Sequence, residues 1–219
     1  MDILSRWSTY WMEDGLARGF VVTVQTFVVA SILAIIWGLV VAAIRVNPFK
    51  PLRFIAIAYI EIFRGTPLLV QLLTFFAAIP IVTGLLLPPF QTALLALTLN
   101  TGGYLAESYR SGFQAVPRGQ REAAAALGMS EILVFWRVTL PQAIRIILPA
   151  IGNTVAGILL TTPFVFLVGL EDMMAKATQV MTGTADWSVF VLVTLIYTTL
   201  GLILVGGNTW LERRFKPLT

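Results

Sequence analysis

The chain has no cysteine and no histidine, and charged residues make up only 12% of its 219 positions. Without cysteine there is no disulfide framework and no thiolate chemistry. Without histidine the usual zinc sites, imidazole bases and Ser-His triads are excluded. So little charge beside 58% hydrophobic residues excludes a soluble domain and predicts an all-α, polytopic membrane protein. A β-barrel is excluded by continuous apolar runs, since barrel strands alternate. The net charge of +4 is read as an orientation signal and not as affinity for nucleic acid, which is not expected as a partner. The N-terminus lacks a basic segment followed by an apolar core, so no cleaved signal peptide is expected.

Residues 1–18 mix Trp7, Tyr10, Trp11 and Met12 with Asp2, Arg6, Glu13 and Asp14, as an interfacial segment does. Five transmembrane helices are expected, over about 19–44, 54–82, 90–112, 146–169 and 187–211. A short cytoplasmic tail, 212–219, follows. An odd number of spans puts the two termini on opposite sides. Arg45, Lys50, Arg53, Arg118, Arg121, Arg137, Arg145, Arg213, Arg214 and Lys216 share one side. Opposite them lie Arg6, Arg18 and Lys176 among a larger number of acids. The positive-inside rule then places the N-terminus outside and the C-terminus in the cytoplasm.

Ionisable groups within spans cost about 3 kcal/mol or more and should face protein or water. Glu61 and Arg64 are three residues apart and can pair on one helical face. Counting ~1.5 Å per residue, Arg64 lies about 16 Å from Arg53, near mid-bilayer. The pair is either a structural bridge or a contact for a solute. Gly65-Thr66-Pro67 should interrupt the second span, and Thr161-Thr162-Pro163 the fourth. Paired interruptions at similar depth point to a transport pathway; the alternative is two packing kinks satisfied by threonine back-bonding. In the third span Asn100, Gly103, Tyr104 and Glu107 recur on one face, to line a cavity or bond neighbouring helices.

Between the third and fourth spans runs the longest polar-punctuated stretch, Glu122 to Pro149. Its alanine-rich first half suits a helix opened by Glu122, and Gly128 suits that helix's C-terminus. Ser130 caps a second short helix, which Leu140-Pro141 should end or kink. The expected product is two short helices bent across a glycine at a membrane surface, a shape suited to a groove on another protein. Contact there is expected from Ala124, Leu127, Gly128 and Met129, with Phe135 and Trp136 packing back onto the spans.

The segment Glu122-Ala-Ala, then Gly128, then Val138-Thr-Leu140-Pro141, resembles the EAA signature of ABC-transporter permease subunits, with Val138 where the family has isoleucine. Tyr59 to Gln71, Leu99 to Glu107, Pro117 to Gln120, Leu140 to Ala143 and Pro149 to Asn153 resemble, in order, the polar amino acid permeases, the group of histidine, glutamine and arginine importers. The resemblance implies a type I ABC importer transmembrane domain over 19–211, with its coupling region at about 113–145. It implies two ATPase subunits, a second permease subunit (identical or different), an extracytoplasmic substrate-binding protein, and a multi-pass location in the bacterial cytoplasmic membrane. It assigns ATPase coupling to Glu122, Ala123, Ala124, Leu127, Gly128 and Met129. It places Glu61, Arg64, Thr66, Gln71, Asn100, Tyr104, Glu107, Thr161 and Thr162 along the substrate pathway.

No Gly-x4-Gly-Lys-Ser/Thr phosphate loop is present, so ATP and Mg are expected on a partner chain and no cofactor on this one. One departure stands out. Many of these permeases read Leu-Lys-Asp-Thr-Ser where this chain has Leu159 to Pro163. Either a different partner permease holds the charged site, or the solute depends less on that charge. A secondary transporter and a channel subunit are the competing classes. The chain is short for the two repeats of the former.

Overall fold

The computed structural model describes residues 2–215, and these contain helices and no strands. Lys216 and the rest of the tail lie outside the described residues. The helices are α1 (Ile3–Met12), α2 (Leu16–Arg45), α3 (Lys50–Gly65), α4 (Leu68–Thr83) and α5 (Pro89–Gln114). They continue with α6 (Arg118–Ala126), α7 (Glu131–Val168), α8 (Met173–Thr184) and α9 (Ser188–Arg214).

Small residues set the packing. Lipid tails are as apolar as a protein core, so membrane helices associate through close contact and interhelical bonds. On α2, Gly19, Thr23, Thr26, Ala30, Ala34, Gly38 and Val41 are buried at three- and four-residue spacing, while Val28, Ile32, Ile36 and Leu39 are exposed on the outer face. A Cβ added at Gly38 would lie 2.7 Å from the Leu105 Cβ of α5, so these two backbones meet where only glycine fits. Helix α5 is the centre of the bundle, touching α2, α3, α4 and α7 and burying Ala93, Ala96, Leu97, Gly102, Leu105 and Ala106.

Three helices (α2, α7 and α9) are long and apolar enough to cross a membrane, or up to four if the bent pair α3–α4 counts as one. The expected third span, α5, is long enough at 26 residues, about 39 Å. Its apolar content falls short of such a span because it is covered on several sides by protein and carries its own polar stripe.

One expectation about helix breaks, that Pro141 ends or kinks its helix, is corrected in its first half. Helix α7 does not end at Pro141. A π-helical turn over Phe135–Thr139 precedes Pro141, and the helix runs on past Pro149 to Thr161. The extra residue in such a turn accommodates a proline that cannot donate a backbone hydrogen bond. Thr161-Thr162-Pro163 does interrupt the α-helix, which stops at Thr161, without ending the span. It tightens α7 into a 3-10 turn, Thr162–Val168, ended by Gly169. The break at Gly65–Pro67 does form, and α4 leaves α3 at an angle of 107°.

Helix α1 is strapped to the start of α9. Arg6 bonds Asp186 at 2.7 Å, Tyr10 donates to the same oxygen at 2.6 Å, and Trp7 donates to Ser188 at 3.3 Å. The Tyr10 hydroxyl, first among several donors, holds the Asp186 carboxyl down at about 2. Helix α8 docks on α2 through its first turn, where the Met173 N–H donates to Thr23 Oγ1 at 3.1 Å. Asp172 caps that turn, accepting from the Ala175 N–H at 2.9 Å, and burial pushes its carboxyl up to about 6.

Candidate functional site

The bend at Gly65–Pro67 frees the last carbonyls of α3, which need partners in a membrane interior. They receive side-chain donors. Gln71 Nε2 bonds the Phe63 carbonyl at 3.0 Å and Thr66 Oγ1 at 2.6 Å. Asn100 Nδ2 bonds the Phe63 carbonyl at 3.0 Å, and the Tyr104 hydroxyl reaches the Arg64 carbonyl at 3.3 Å. Thr66 Oγ1 donates back to Ile62 at 2.8 Å. The broken end is therefore held by α5 and by the first turn of α4. The polar stripe on α5 serves this purpose in part.

Around that end opens a cavity of about 570 Å³, between the bend, α5 and α7. This volume lies in the range of small-molecule sites. Arg64, Thr66, Asn100, Tyr104 and Thr161 line it, as the sequence predicts. The Arg64 guanidinium lies over the Tyr104 ring, 5.3 Å from its centre. That geometry attracts a cation to a ring face and leaves the Arg64 hydrogen-bond donors free for a guest. Among the described residues the wall carries Arg64 and no carboxylate.

The other predicted pathway residues lie elsewhere. Glu61 sits on the exposed face of α3 and makes no ion pair with Arg64; the guanidinium has turned to Tyr104 instead. Gln71 is buried behind the bend. Glu107 bridges Arg45 and Arg110 at the end of the bundle that carries α6, bonding Arg110 Nε at 2.9 Å. Thr162 is fully buried, bonds Leu159 at 2.7 Å and meets the Tyr197 hydroxyl at 3.3 Å. Thr161 lines the cavity, yet its hydroxyl bonds Gly157 and Ile158 of its own helix. Threonine back-bonding thus accounts for both hydroxyls.

Five wall residues escaped sequence reasoning: Leu68, Thr101, Asn153, Thr154 and Gly157. Asn153, Gly157 and Thr161 recur every four residues, so a helical face drawn back from Thr161 finds Asn153.

At the far end of the bundle, α6 and α7 form an elbow. Pro117 precedes the first turn and α6 starts at Arg118, so Glu122 stands in mid-helix and does not open it. Gly128 has φ +80°, its N–H bonds Ala125 at 2.9 Å, and the Met129 N–H bonds Ala124 at 3.2 Å. This pair of reverse bonds is the glycine-dependent Schellman stop. Ser130 then caps α7, accepting from Leu133 at 3.4 Å. The elbow is one short helix against the start of a long one, and not two short helices. Gln142 ties the two, bonding the Val138 carbonyl at 2.9 Å and the Gln120 side chain.

Leu127 is 84% exposed at the elbow's tip, and Glu122, Ala123 and Gly128 are exposed beside it. Ala124 is only 6% exposed and faces the chain itself, contrary to its expected place on a docking face. Met129 and Glu122 edge a groove of about 430 Å³ between the helices. Phe135 stacks on Phe113 with ring centres 6.0 Å apart, and Trp136 packs edge-on against Phe135.

A bent helix opening onto a polar cavity inside an apolar bundle, with an exposed elbow at one end, defines a membrane transport component. Residues 34–217 match the binding-protein-dependent transport system inner membrane component family. The chain belongs to that family, so it is a transport subunit and not an enzyme. It is 34% identical over 202 residues to the arginine transport system permease protein ArtQ of Bacillus subtilis (strain 168), covering 92% of each chain. It is 34% identical over 199 residues to the probable glutamine ABC transporter permease protein GlnM of the same organism, covering 90% of this chain and 92% of that one. Among solved structures it resembles an amino acid ABC transporter crystallised with histidines, with a TM-score of 0.89 and 32% identity over 98% of this chain and 99% of that chain. The methionine transporter MetNI shares the fold, at a TM-score of 0.76 and 19% identity over 99% of this chain and 100% of that one.

Proposed function

We propose that this chain is the permease subunit of an ATP-binding-cassette importer, and that its cavity passes a polar amino acid or an amino-acid-like solute. The observation that carries the reading is the meeting of the bend at Gly65–Pro67 with α5 and the tightened end of α7 around one polar cavity. Relatives named for arginine and glutamine support the solute class. Five spans, α2, α3–α4, α5, α7 and α9, set the N-terminus outside and the elbow and C-terminus in the cytoplasm of a bacterial inner membrane. The charge bias supports this orientation.

Arg64, Thr66, Asn100, Tyr104 and Thr161 form the pathway wall, with Asn153 added. Gln71 holds the bend behind it and Thr162 the turn beside it, while Glu61 and Glu107 stand away from it. The elbow docks into an ATPase through Leu127, Gly128, Met129 and its neighbours Glu122 and Ala123. Ala124 serves as its internal packing. Two ATPase subunits, an extracytoplasmic binding protein and a second permease complete the assembly, and nucleotide closes the ATPases so that the elbows move together. A cavity wall without a carboxylate supports a different second permease that supplies the charge for a solute ammonium. ATP and Mg stay on the ATPases. This chain has no phosphate loop.

The test is uptake of labelled L-arginine, L-glutamine and L-cystine by the purified complex in liposomes, with its binding protein outside and ATP inside. Accumulation that needs both is expected. Accumulation driven by an ion gradient without ATP would instead make the chain a secondary transporter, and passive flux would make it a channel.

A further inference from the structure

A polar chain leaves the cavity wall through the bundle and ends near the tail. Asn153 is exposed to the cavity, and its Oδ1 accepts from Asn208 Nδ2 of α9 at 2.9 Å. The same Asn208 Nδ2 donates to Glu212 Oε1 at 3.2 Å. Asn208 itself is buried, and among the described residues its Oδ1 has no donor. That oxygen lies against Gly152, where an added Cβ would stand 2.0 Å away, so no water fits between them.

The polarity of this chain is fixed from its far end. An ionised carboxylate only accepts hydrogen bonds, whereas an amide has one accepting and one donating end. Glu212 therefore holds the NH2 of Asn208 towards itself and towards Asn153. Asn153 must answer with its oxygen, which leaves its own NH2 for the cavity. The opposite orientation of Asn208 would set its carbonyl against both the Glu212 carboxylate and the Asn153 oxygen, and would bury two donors against Gly152.

We infer that Asn208 is a positioning residue which, oriented by Glu212, sets the Asn153 amide to present a hydrogen-bond donor to the solute. The inference rests on the transport reading above and adds the end of the solute that this subunit holds. With Arg64 and the Asn153 NH2 both donating and no carboxylate on the wall, the cavity suits an acceptor of negative charge. The fitting group is a solute carboxylate.

The experiment compares equilibrium binding of free amino acids with that of their α-carboxamides to the purified full complex in detergent. Binding to the complex itself separates the cavity from the binding protein's own preference. The probes are L-arginine, L-glutamine and L-cystine against L-argininamide, L-glutaminamide and cystine diamide. The parental complex should prefer the acid by about a hundredfold, about tenfold for each of the charge-assisted hydrogen bonds from Arg64 and Asn153. Asn208→Asp accepts only, so Asn153 must turn its NH2 away from the cavity and the preference should fall about tenfold, to the share that Arg64 keeps. Glu212→Lys reverses the chain from an exposed position and should do the same, although its added positive charge alone would favour the acid. Subunit stoichiometry confirms assembly of each variant.

If Asn208→Asp fails to assemble, Glu212→Lys decides. An unchanged acid preference in an assembled variant overturns the inference, as does a parental complex that binds acid and amide equally. A parental complex with no ATP-driven uptake of any probe would instead overturn the transport reading, on which this inference depends.

Discussion

Asn100 donates its side-chain amide to the Phe63 carbonyl, 3.0 Å away, across the end of α3. Gln71 reaches the same carbonyl from the other side at 3.0 Å. Two side chains thus share one backbone acceptor that the 107° bend has stripped of its helical partner. Their first duty is structural. Asn100→Leu and Gln71→Leu should each cost about 0.5–1.5 kcal/mol of stability, the net worth of a hydrogen bond, because the other amide keeps the carbonyl paired. Thermal unfolding of the purified complex reads this directly. Variants as stable as the parent but defective in uptake would return both amides to the solute.

Arg64 gives the contrasting case. Its guanidinium is exposed over Tyr104, and no ion pair holds it among the described residues. Arg64→Ala should lower solute binding about tenfold or more while shifting the unfolding midpoint little. Arg64→Lys should recover only part of the loss, because an ammonium lacks the planar fork. Equal midpoint losses for Arg64→Ala and Asn100→Leu would place Arg64 in the scaffold instead.

Gly128 stops α6 at φ +80°, a conformation that costs an L-residue about 1–2 kcal/mol. No described residue lies within 4 Å of a Cβ added there, so the backbone and not crowding is the objection. Gly128→Asp should leave the bundle folded and reduce ATPase co-purification and ATP-driven uptake together. Full uptake by this variant would remove the elbow from the coupling path.

Asp186 should make the α1 strap acid-labile. Its ordinary value of 3.8 falls to about 2 in the fold, chiefly through the Tyr10 hydroxyl. The charged form is thus the one the fold prefers. Its contribution is whole above the unfolded value and drains away as pH falls from about 4 towards 2. Hydrogen exchange of α1 amides, corrected for intrinsic rate, should accelerate between pH 5 and pH 2.5 on the order expected for such a shift. Asp186→Asn should exchange fast at both, and a strap indifferent to pH and substitution would contradict the assignment.

Asp172 behaves oppositely. Burial raises its carboxyl from 3.8 to about 6, so the fold prefers the neutral acid. Stability from this residue is greatest below the unfolded value, declines as pH rises towards 6 and is level beyond it. The full span is roughly 3 kcal/mol. Asp172→Asn should flatten that dependence in thermal unfolding from pH 4 to pH 7, and a persistent slope would assign it to another group.

Much of this was legible in the residues. Proline without a backbone donor announced the bend at Gly65–Pro67, and glycine announced the stop at Gly128, because both act through local backbone geometry. The cavity residues Arg64, Asn100, Tyr104 and Thr161 followed from the cost of polarity in an apolar helix. The partners of those polar groups did not follow. Nothing in the spacing of Glu61 and Arg64 says that an aromatic ring on α5 outcompetes the neighbouring carboxylate. Nor does the sequence distinguish Asn100, whose donor is bound to a carbonyl, from Asn153, whose partner on α9 is 55 residues away. Pro141 misled for a related reason: a π-helical turn upstream absorbs the missing donor, and only tertiary packing selects it over a break.

The central position of α5 has a consequence for how the protein is made. A helix with Asn100, Glu107 and Arg110 in its body has little to gain from lipid alone. Its glycine and alanine faces find their match in α2, which emerges earlier from the ribosome. As the third of the five spans proposed above, α5 would insert jointly with a helix already in place, and substitutions at Gly38 or Gly102 should show up as lost yield before any transport is measured.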